Sequence, residues 1–442
     1  MLRRKIEKAL SEWKNTKDKK PLLIKGCRQC GKTSSVLKFA NENYENVVYI
    51  NFIEHPEYKA FFAETLDVNE ILKKMSSLYN IYITEDVSKT ILIFDEIQHC
   101  GNARTALKFF KIDGRYDVIA TGSLLGVRGV GDEIVSVPVG YEESMYMYPM
   151  DFEEFLWAND INDEAINYIR NKFDSYEKID EATHERFKNL FLSYVIVGGM
   201  PRAVDEFVKT NKLDEVLKIQ KNIISDYRDD VIKYAKGNDK IKILECFDSI
   251  SSQLSKENKK FQYSIVKKGS KARDYDGCLE WLIDAGIVVK CKNLNALELP
   301  LDGNADNDCF KIYMQDIGLL IAMFEEGTQF DILNNKLWTY KGAIFENVAA
   351  DILSKMGRKL YYYRKDSGLE IDFAIRYKNE CVPLEIKSQT GNAKSIKTVL
   401  KNEDVYHINN GMKYGDYNIG KEGKLLTAPL YTLFLLNEKV KE

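Results

Sequence analysis

The 442-residue chain carries 64 Lys/Arg against 67 Asp/Glu, a net charge of −3, with 45% apolar and 30% charged residues. That balance excludes a disordered chain and a globally basic nucleic-acid binder, and the length accommodates about three domains. No stretch is an uninterrupted apolar span, and Met1-Leu2-Arg3-Arg4 lacks the apolar core of a signal peptide, so a cytoplasmic protein with no membrane partner is expected.

The first twenty residues hold eight Lys/Arg against three acids, with Leu2, Ile6, Leu10 and Trp13 on one helical stripe. This predicts an amphipathic leader packed on the next domain. Pro21-Leu22-Leu23-Ile24 reads as a buried strand and Ser34–Asn41 as a helix. Between them, Gly26-Cys27-Arg28-Gln29-Cys30-Gly31-Lys32-Thr33 has the spacing Gly-x-x-x-x-Gly-Lys-Thr. The glycines let backbone N–H groups turn around a polyphosphate, a lysine reaches the outer phosphates and a threonine hydroxyl ligates magnesium. The positive end of the following helix favours the same anion. Gly26, Arg28, Gln29, Gly31, Lys32, Thr33 and Ser34 are therefore expected to hold ATP, with Thr33 on Mg²⁺.

Eight cysteines stand at 27, 30, 100, 246, 278, 291, 309 and 381. Cys27-x-x-Cys30 has redox or zinc half-site spacing, but no second close pair exists and the four histidines are far apart. The thiols are read as reduced, and a disulfide at 27–30 would distort the phosphate loop.

Strands are predicted at Val47–Phe52, Thr90–Phe94, Asp117–Ala120 and Met145–Tyr148, separated by helices, which implies a parallel sheet covered on both faces. The Thr90–Phe94 strand, expected beside the loop strand, ends in Asp95-Glu96. Asp95 is assigned to the magnesium and Glu96 to the attacking water as general base. In Thr121-Gly122-Ser123, a hydroxyl (Ser123 or Thr121) would sense the γ-phosphate. Residues 1–150 thus form a P-loop core.

Residues 151–238 read as a helical lid, interrupted by Gly198-Gly199-Met200-Pro201-Arg202, a corner that could cover the adenine and offer Arg202 to a phosphate. Residues 239–328 read as a winged helix: helices at Ile241–Leu254, Tyr263–Lys268 and Lys271–Ala285, then strands at Ile287–Cys291 and Phe310–Tyr313. Seven Lys/Arg and one acid lie between Lys256 and Arg273. Lys267, Lys268, Lys271 and Arg273 are the expected DNA contacts, with a solvated basic face as the alternative.

Residues 329–442 read as a further α/β unit, with a helix at Trp338–Lys355 and strands at Leu360–Arg364, Leu369–Arg376 and Cys381–Lys387. Period-two alternation puts Glu385 and Lys387 on one face. Glu346, Asp372 and Glu385 are expected to converge as Mg²⁺ ligands, with Lys387 placed to polarise a water for attack on a phosphodiester. An exposed charged strand edge, or a nuclease fold kept for binding without cleavage, are the alternatives. Asp372, Glu385 and Lys387 join Glu96, Lys32 and Ser123 as the candidate catalytic set.

The chain resembles prokaryotic AAA-type, STAND-related P-loop ATP-binding proteins that carry a winged helix and a C-terminal restriction-endonuclease-like domain of unknown function. The resemblance rests on residues 26–33, Phe-Asp-Glu-Ile-Gln at 94–98, Thr-Gly-Ser at 121–123 and Tyr-Pro-Met-Asp-Phe-Glu-Glu-Phe at 148–155. It continues in Gly-Gly-Met-Pro-Arg at 198–202, Gly-x-x-Phe-Glu-Asn at 342–347, Gly-Leu-Glu-Ile-Asp-Phe at 368–373 and Leu-Glu-Ile-Lys-Ser at 384–388. It implies a nucleotide-controlled switch. One position departs: relatives tend to carry a basic residue after the glycine where Gly140 is followed by Tyr141, so Arg202, Arg128 or a neighbouring subunit's arginine would have to substitute.

The expected function is a Mg²⁺-dependent ATPase whose lid closes on ATP and reorients the C-terminal half. An ATP-gated DNA nuclease and a non-catalytic nucleotide-dependent regulator are the alternatives. Monomer, dimer and ring, and hence a homo-oligomer, are all open.

Overall fold

The computed structural model describes residues 2–79, 81–83, 86–123, 139–235, 237, 239–254, 260–275, 277–334, 336, 341–388 and 391–437. The chain divides into two compact units: Met1–Pro149 with Ile232–Lys236 and Asp284–Gly286, and Met150–Val231 with Gly237–Ile283 and Ile287–Glu442.

The first unit is a five-stranded parallel sheet of β1 (Leu22–Gly26), β2 (Asn46–Asn51), β3 (Thr90–Asp95), β4 (Asp117–Ser123) and β5 (Glu143–Met147). Leu22–Ile24 of β1 and Val118–Ala120 of β4 are buried on both faces, as a covered parallel sheet requires, and all six residues of β3 are buried. Helices α1 (Ile6–Asn15), α2 (Lys32–Asn43), α3 (Val68–Tyr79) and α4 (Gly101–Asp113) belong to this unit. Leu10 and Trp13 of α1 are buried, as the leader stripe predicts, and Glu7 pairs with Lys38 of α2 at 2.9 Å. On the other side of the sheet Phe52, Phe62, Phe94 and Phe110 meet edge-on or tilted at centroid separations of 5.5 to 6.4 Å.

The strand order is β2-β3-β4-β1-β5. The expectation that Thr90–Phe94 lies beside the loop strand is therefore corrected: β4 is hydrogen-bonded to both and stands between them. Apolar runs reveal that strands exist and are buried, whereas their lateral order depends on contacts far apart in sequence.

The second unit opens with five helices, Phe152–Ala158, Asp163–Asp174, Glu181–Val197, Pro201–Thr210 and Leu213–Tyr234, the last of which ends in the first unit. Asp151 and Glu154 form a reciprocal capping box at the first of them. The Gly198-Gly199 corner is dictated by packing. A Cβ at Gly199 would lie 1.9 Å from the Met150 carbonyl oxygen, and one at Gly198 (φ 70°) 2.3 Å from Asp316 Oδ1. No side chain larger than hydrogen fits either place.

The Asp239–Leu254 helix and the short Tyr263–Val266 helix match their predicted positions. The third helix does not run from Lys271 to Ala285. A 3₁₀ turn at Ala272–Asp274 is followed by Gly277 at φ 78°, and the α-helix spans Cys278–Asp284. A left-handed glycine interrupts the helical hydrogen-bond ladder there. β6 (Val288–Leu294) and β7 (Ala305–Met314) form the expected antiparallel ribbon, but β6 also pairs in parallel with β8 (Leu360–Arg364). Residues from either side of 328/329 thus share one sheet, ordered β7-β6-β8-β9 with β9 at Glu370–Ile371.

The predicted strand Leu369–Arg376 is broken at Asp372. Its first part is β9 and its second is β10 (Phe373–Tyr377), in a separate sheet ordered β10-β11-β12-β14-β13. There β11 (Glu380–Ile386) pairs with β10, β12 (Gly411–Gly415) follows in parallel, and β13 (Gly420–Glu422) and β14 (Leu425–Pro429) complete the edge. Asp372 stands where the chain passes between sheets. The predicted Trp338–Lys355 helix is described from Lys341, every residue from Ala343 onward being buried; Trp338 lies outside the described residues.

Candidate functional site

The phosphate loop leaves β1 at Gly26 and enters α2 at Lys32. A Cβ on Gly26 would come within 2.3 Å of the Met147 carbonyl oxygen, so glycine is required where the loop passes β5. Gln29 at φ 62° and Gly31 at φ 95° are both left-handed, a geometry that turns successive N–H groups toward one concavity. Lys32 is buried, its Nζ donating to the carbonyls of Gly26 (3.2 Å) and Cys27 (2.9 Å), which keeps the ammonium over the loop. Arg28 and Ser34 are exposed.

Although β4 separates β1 from β3, Thr33 reaches Asp95: Thr33 Oγ1 donates to Asp95 Oδ2 at 3.0 Å, with Oδ1 at 3.2 Å. Asp95 is 2% exposed and also accepts from Tyr49 OH (2.7 Å), Asn51 Nδ2 (3.4 Å), the Glu96 N–H (3.2 Å) and the Thr121 hydroxyl. Burial, followed by the hydrogen bond to Asp95, raises the Tyr49 phenol and keeps it a donor.

Glu96 sits at φ 54°, a left-handed non-glycine residue that turns its side chain out of the strand direction. Its Oε2 accepts from Gln98 Nε2 at 2.5 Å, and the same nitrogen lies 3.4 Å from Ser123 Oγ. Lys32, Thr33, Asp95, Glu96, Thr121 and Ser123 therefore converge at the carboxyl ends of β1, β3 and β4. Arg4 was invisible as a site residue in the leader pattern; its guanidinium donates to the carbonyls of Cys30 (2.8 Å) and Tyr148 (2.7 Å), fastening the loop to the segment after β5. Tyr49 and Asn51 are likewise unmarked by the motif spacing, since polar residues at strand ends are common; Gln98 closes the 94–98 motif, which by itself assigns it no role. Tyr141 is partly exposed, with Lys108 Nζ 5.1 Å from its ring centroid. Arg202 is an exposed residue of the second unit, and Arg128 lies outside the described residues.

The second predicted constellation is brought together in part. Asp372 Oδ2 accepts from the Ile386 N–H at 2.8 Å, and Lys387 Nζ lies 2.6 Å from Glu385 Oε1. Burial disfavours the Lys387 ammonium, but Glu385 and the field of Asp372 outweigh it and its pKa is raised. Glu346 does not join them as a ligand. It is 2% exposed and accepts from Lys311 Nζ at 3.0 Å and from the Tyr313 hydroxyl. Lys311 also donates to Glu370 at 2.7 Å, and despite burial the carboxylates of Glu346, Glu370 and Asp372 raise its pKa. The Lys311 ammonium thus pairs with both Glu346 and Glu370. Among the described residues no group of three or more His, Cys, Asp or Glu side chains is arranged to hold a metal. No helix among the described residues is long and apolar enough to cross a membrane.

Three family models match the chain: an AAA domain over residues 18–156, a domain of unknown function (DUF8612) over 188–329 and another (DUF4143) over 341–431. No curated protein matches. Among solved structures, the chain is similar to a Walker-type ATPase of Pyrococcus abyssi, with 14% identity over 73% of this chain and 96% of that one and a TM-score of 0.42. It is similar to the ORC2 protein of Aeropyrum pernix in ADPNP–ADP complexes, at 14% identity over 76% and 93% with a TM-score of 0.37. AMPPCP-bound DnaA of Aquifex aeolicus matches at 13% identity over 63% and 86%, TM-score 0.30. With its loop, strand order and family match taken together, the N-terminal part of this α/β chain is an AAA-type P-loop domain.

Proposed function

We propose that the chain is a Mg²⁺-dependent ATPase that works as a nucleotide-controlled switch. The observation that carries this reading is the Thr33–Asp95 contact at the carboxyl edge of the parallel sheet, beside a glutamate already oriented by Gln98. The donors fit the ion: a hydroxyl and a carboxylate are the hard oxygen ligands magnesium takes, leaving further positions to phosphate and water. Magnesium, when bound, would neutralise charge on the outer phosphates. Lys32 would exchange its bonds to the Gly26 and Cys27 carbonyls for the β- and γ-phosphates. Glu96 Oε would accept a proton from the attacking water, and Ser123 Oγ would report the γ-phosphate. Positioning and charge neutralisation are the main demands of phosphoryl transfer, and this set supports both.

Glu96→Gln keeps shape and loses basicity, so it should bind ATP as the wild type does while phosphate release falls at least about a hundredfold. Unchanged turnover would remove Glu96 from the mechanism. The Lys311 ammonium beside Glu346 and Glu370 favours a C-terminal half that binds without metal-dependent cleavage. Its partner in our reading is DNA, contacted by Lys267, Lys268, Lys271 and Arg273, all exposed.

A further inference from the structure

Two thiols are set into the phosphate loop, and ATP binding and hydrolysis as proposed above use neither. Cys27 and Cys30 are 2% and 0% exposed, and the Cys27 thiol hydrogen-bonds the Cys30 sulfur. Between them Gln29 is left-handed, at φ 62°, so the loop turns back on itself within the Cys27-x-x-Cys30 segment. Cys30 Sγ lies 3.4 Å from the Met147 carbonyl oxygen, and it is one of the atoms a Cβ at Gly26 would crowd, at 3.0 Å. The sulfur pair is therefore packed under the turn that presents the loop N–H groups.

We propose that Cys27 and Cys30 are a reversible thiol–disulfide site, oxidised by a hydroperoxide and restored by a dithiol, whose closure withdraws the phosphate loop from ATP. The effect on ATP rests on the nucleotide reading; the sulfur chemistry does not. Cys30 is the attacking sulfur. The Cys27 hydrogen bond lowers its pKa, and although burial opposes this, Lys32 and Arg4 add to it, which holds the thiol below its ordinary range. At Cys246 and Cys381 burial, joined by nearby acidic groups, pushes the thiol up to about 12. Selectivity among buried thiols thus comes from the Cys27 hydrogen bond and the cations of the loop.

The step balances with one hydroperoxide. The Cys30 thiolate attacks an oxygen, the O–O bond breaks, and the sulfenic acid forms while the departing oxide takes a proton to become water or an alcohol. Cys27 then loses its proton and attacks Cys30, the S–O bond breaks, the S–S bond forms and water leaves. Two thiols and one hydrogen peroxide give one disulfide and two waters. Burial restricts the oxidant to a small one. A disulfide holds its Cβ atoms about 3.8 Å apart with a dihedral near 90°. Closing that ring across Arg28 and Gln29 redirects the N–H groups on which phosphate binding depends.

The test treats the full-length reduced protein with hydrogen peroxide, alkylates it after denaturation and maps the peptides. A Cys27–Cys30 disulfide reversed by dithiothreitol, with Cys246 and Cys381 alkylated, is expected. ATP affinity, read by a fluorescent ATP analogue, should fall at least about tenfold on oxidation and recover on reduction. In Cys27→Ser, the oxidised-to-reduced affinity ratio should be about one. Full alkylation of Cys27 and Cys30 after peroxide overturns the site, and an intact disulfide with unchanged affinity overturns its effect on ATP. If the reduced protein binds no nucleotide, the functional reading fails while the peptide map still decides the sulfur chemistry.

Discussion

Thr33 Oγ1 and Asp95 Oδ2 are 3.0 Å apart although β1, which leads through the loop to Thr33, and β3, which ends at Asp95, are not neighbours in the sheet. The contact exists because α2 begins at the edge of β1 and carries Thr33 across β4, whose Thr121 bonds the same carboxylate. The proposed magnesium-binding pair therefore depends on β4 as a spacer, and Asp95 is held by hydroxyls from three different elements.

Gln98 is the positioning residue for Glu96. Gln98→Leu leaves the Glu96 carboxylate in place without its 2.5 Å donor. The expected outcome is a fall in kcat of about tenfold or more with KM for ATP little changed, since in the proposed mechanism Glu96 acts on the water and not on nucleotide binding. Steady-state phosphate release over a range of ATP concentrations separates the two. A raised KM with unchanged kcat would place Gln98 in binding instead.

Lys311→Met should destabilise the second unit by about 3–5 kcal/mol, because Glu346 and Glu370 then face each other without the buried ammonium. Chemical denaturation of wild type and variant measures this. The double change Lys311→Met with Glu346→Gln should recover part of the loss. If the single variant is as stable as the wild type, the cluster is solvated enough that Lys311 does not neutralise it.

The difference between what was legible and what was not lies in range. The loop at 26–33 and the Asp95-Glu96 ending declare themselves because their chemistry needs fixed local spacing. β3 declares itself because six consecutive residues are buried. Lys311 does not, since a lysine between Phe310 and Ile312 reads as the outward position of an alternating strand, and its partners lie 35 and 59 positions away. The break at Asp372 is hidden in the same way: alternation continues smoothly from β9 into β10 while the chain changes sheets. Gly198-Gly199 is visible as a corner, but the reason for it, the approach of Met150 and Asp316, is a tertiary fact.

DNA contact is checked by salt. Replacing Lys267, Lys268, Lys271 and Arg273 with glutamine should reduce the slope of log affinity against log salt by up to about four times 0.9 for duplex DNA. Lys267 already lies 3.3 Å from Glu245, so its share should be the smallest. An unchanged slope in binding titrations would leave this exposed face as ordinary solvated surface.

A pH dependence arises in the pocket around Lys355. Its ammonium donates to Asp351 Oδ2 (3.0 Å), Tyr194 OH (3.0 Å) and the Met150 carbonyl (3.1 Å), and Asp316 Oδ2 lies at 3.5 Å. Tyr194 also donates to Asp351, and Asp151 adds a further negative field on Lys355. One cation thus faces more than one carboxylate. Burial pushes Asp351 up, Lys355 opposes it, and Asp316 adds to the rise, which brings the carboxyl to about 7. Between its ordinary value of 3.8 and about 7, the folded protein keeps a proton that the unfolded chain has released. Stability from this group therefore falls as pH rises across that window and is level above it. The loss amounts to a few kcal/mol, since each tenfold difference in proton affinity between the folded and unfolded chain is worth about 1.4 kcal/mol. Asp351→Asn removes the titration while keeping an acceptor for Tyr194 or Lys355. Urea midpoints between pH 5 and pH 8 should drop more steeply for the wild type than for the variant. Parallel slopes would mean that Asp351 is ionised throughout, with Lys355 neutralising it in preference to Asp316.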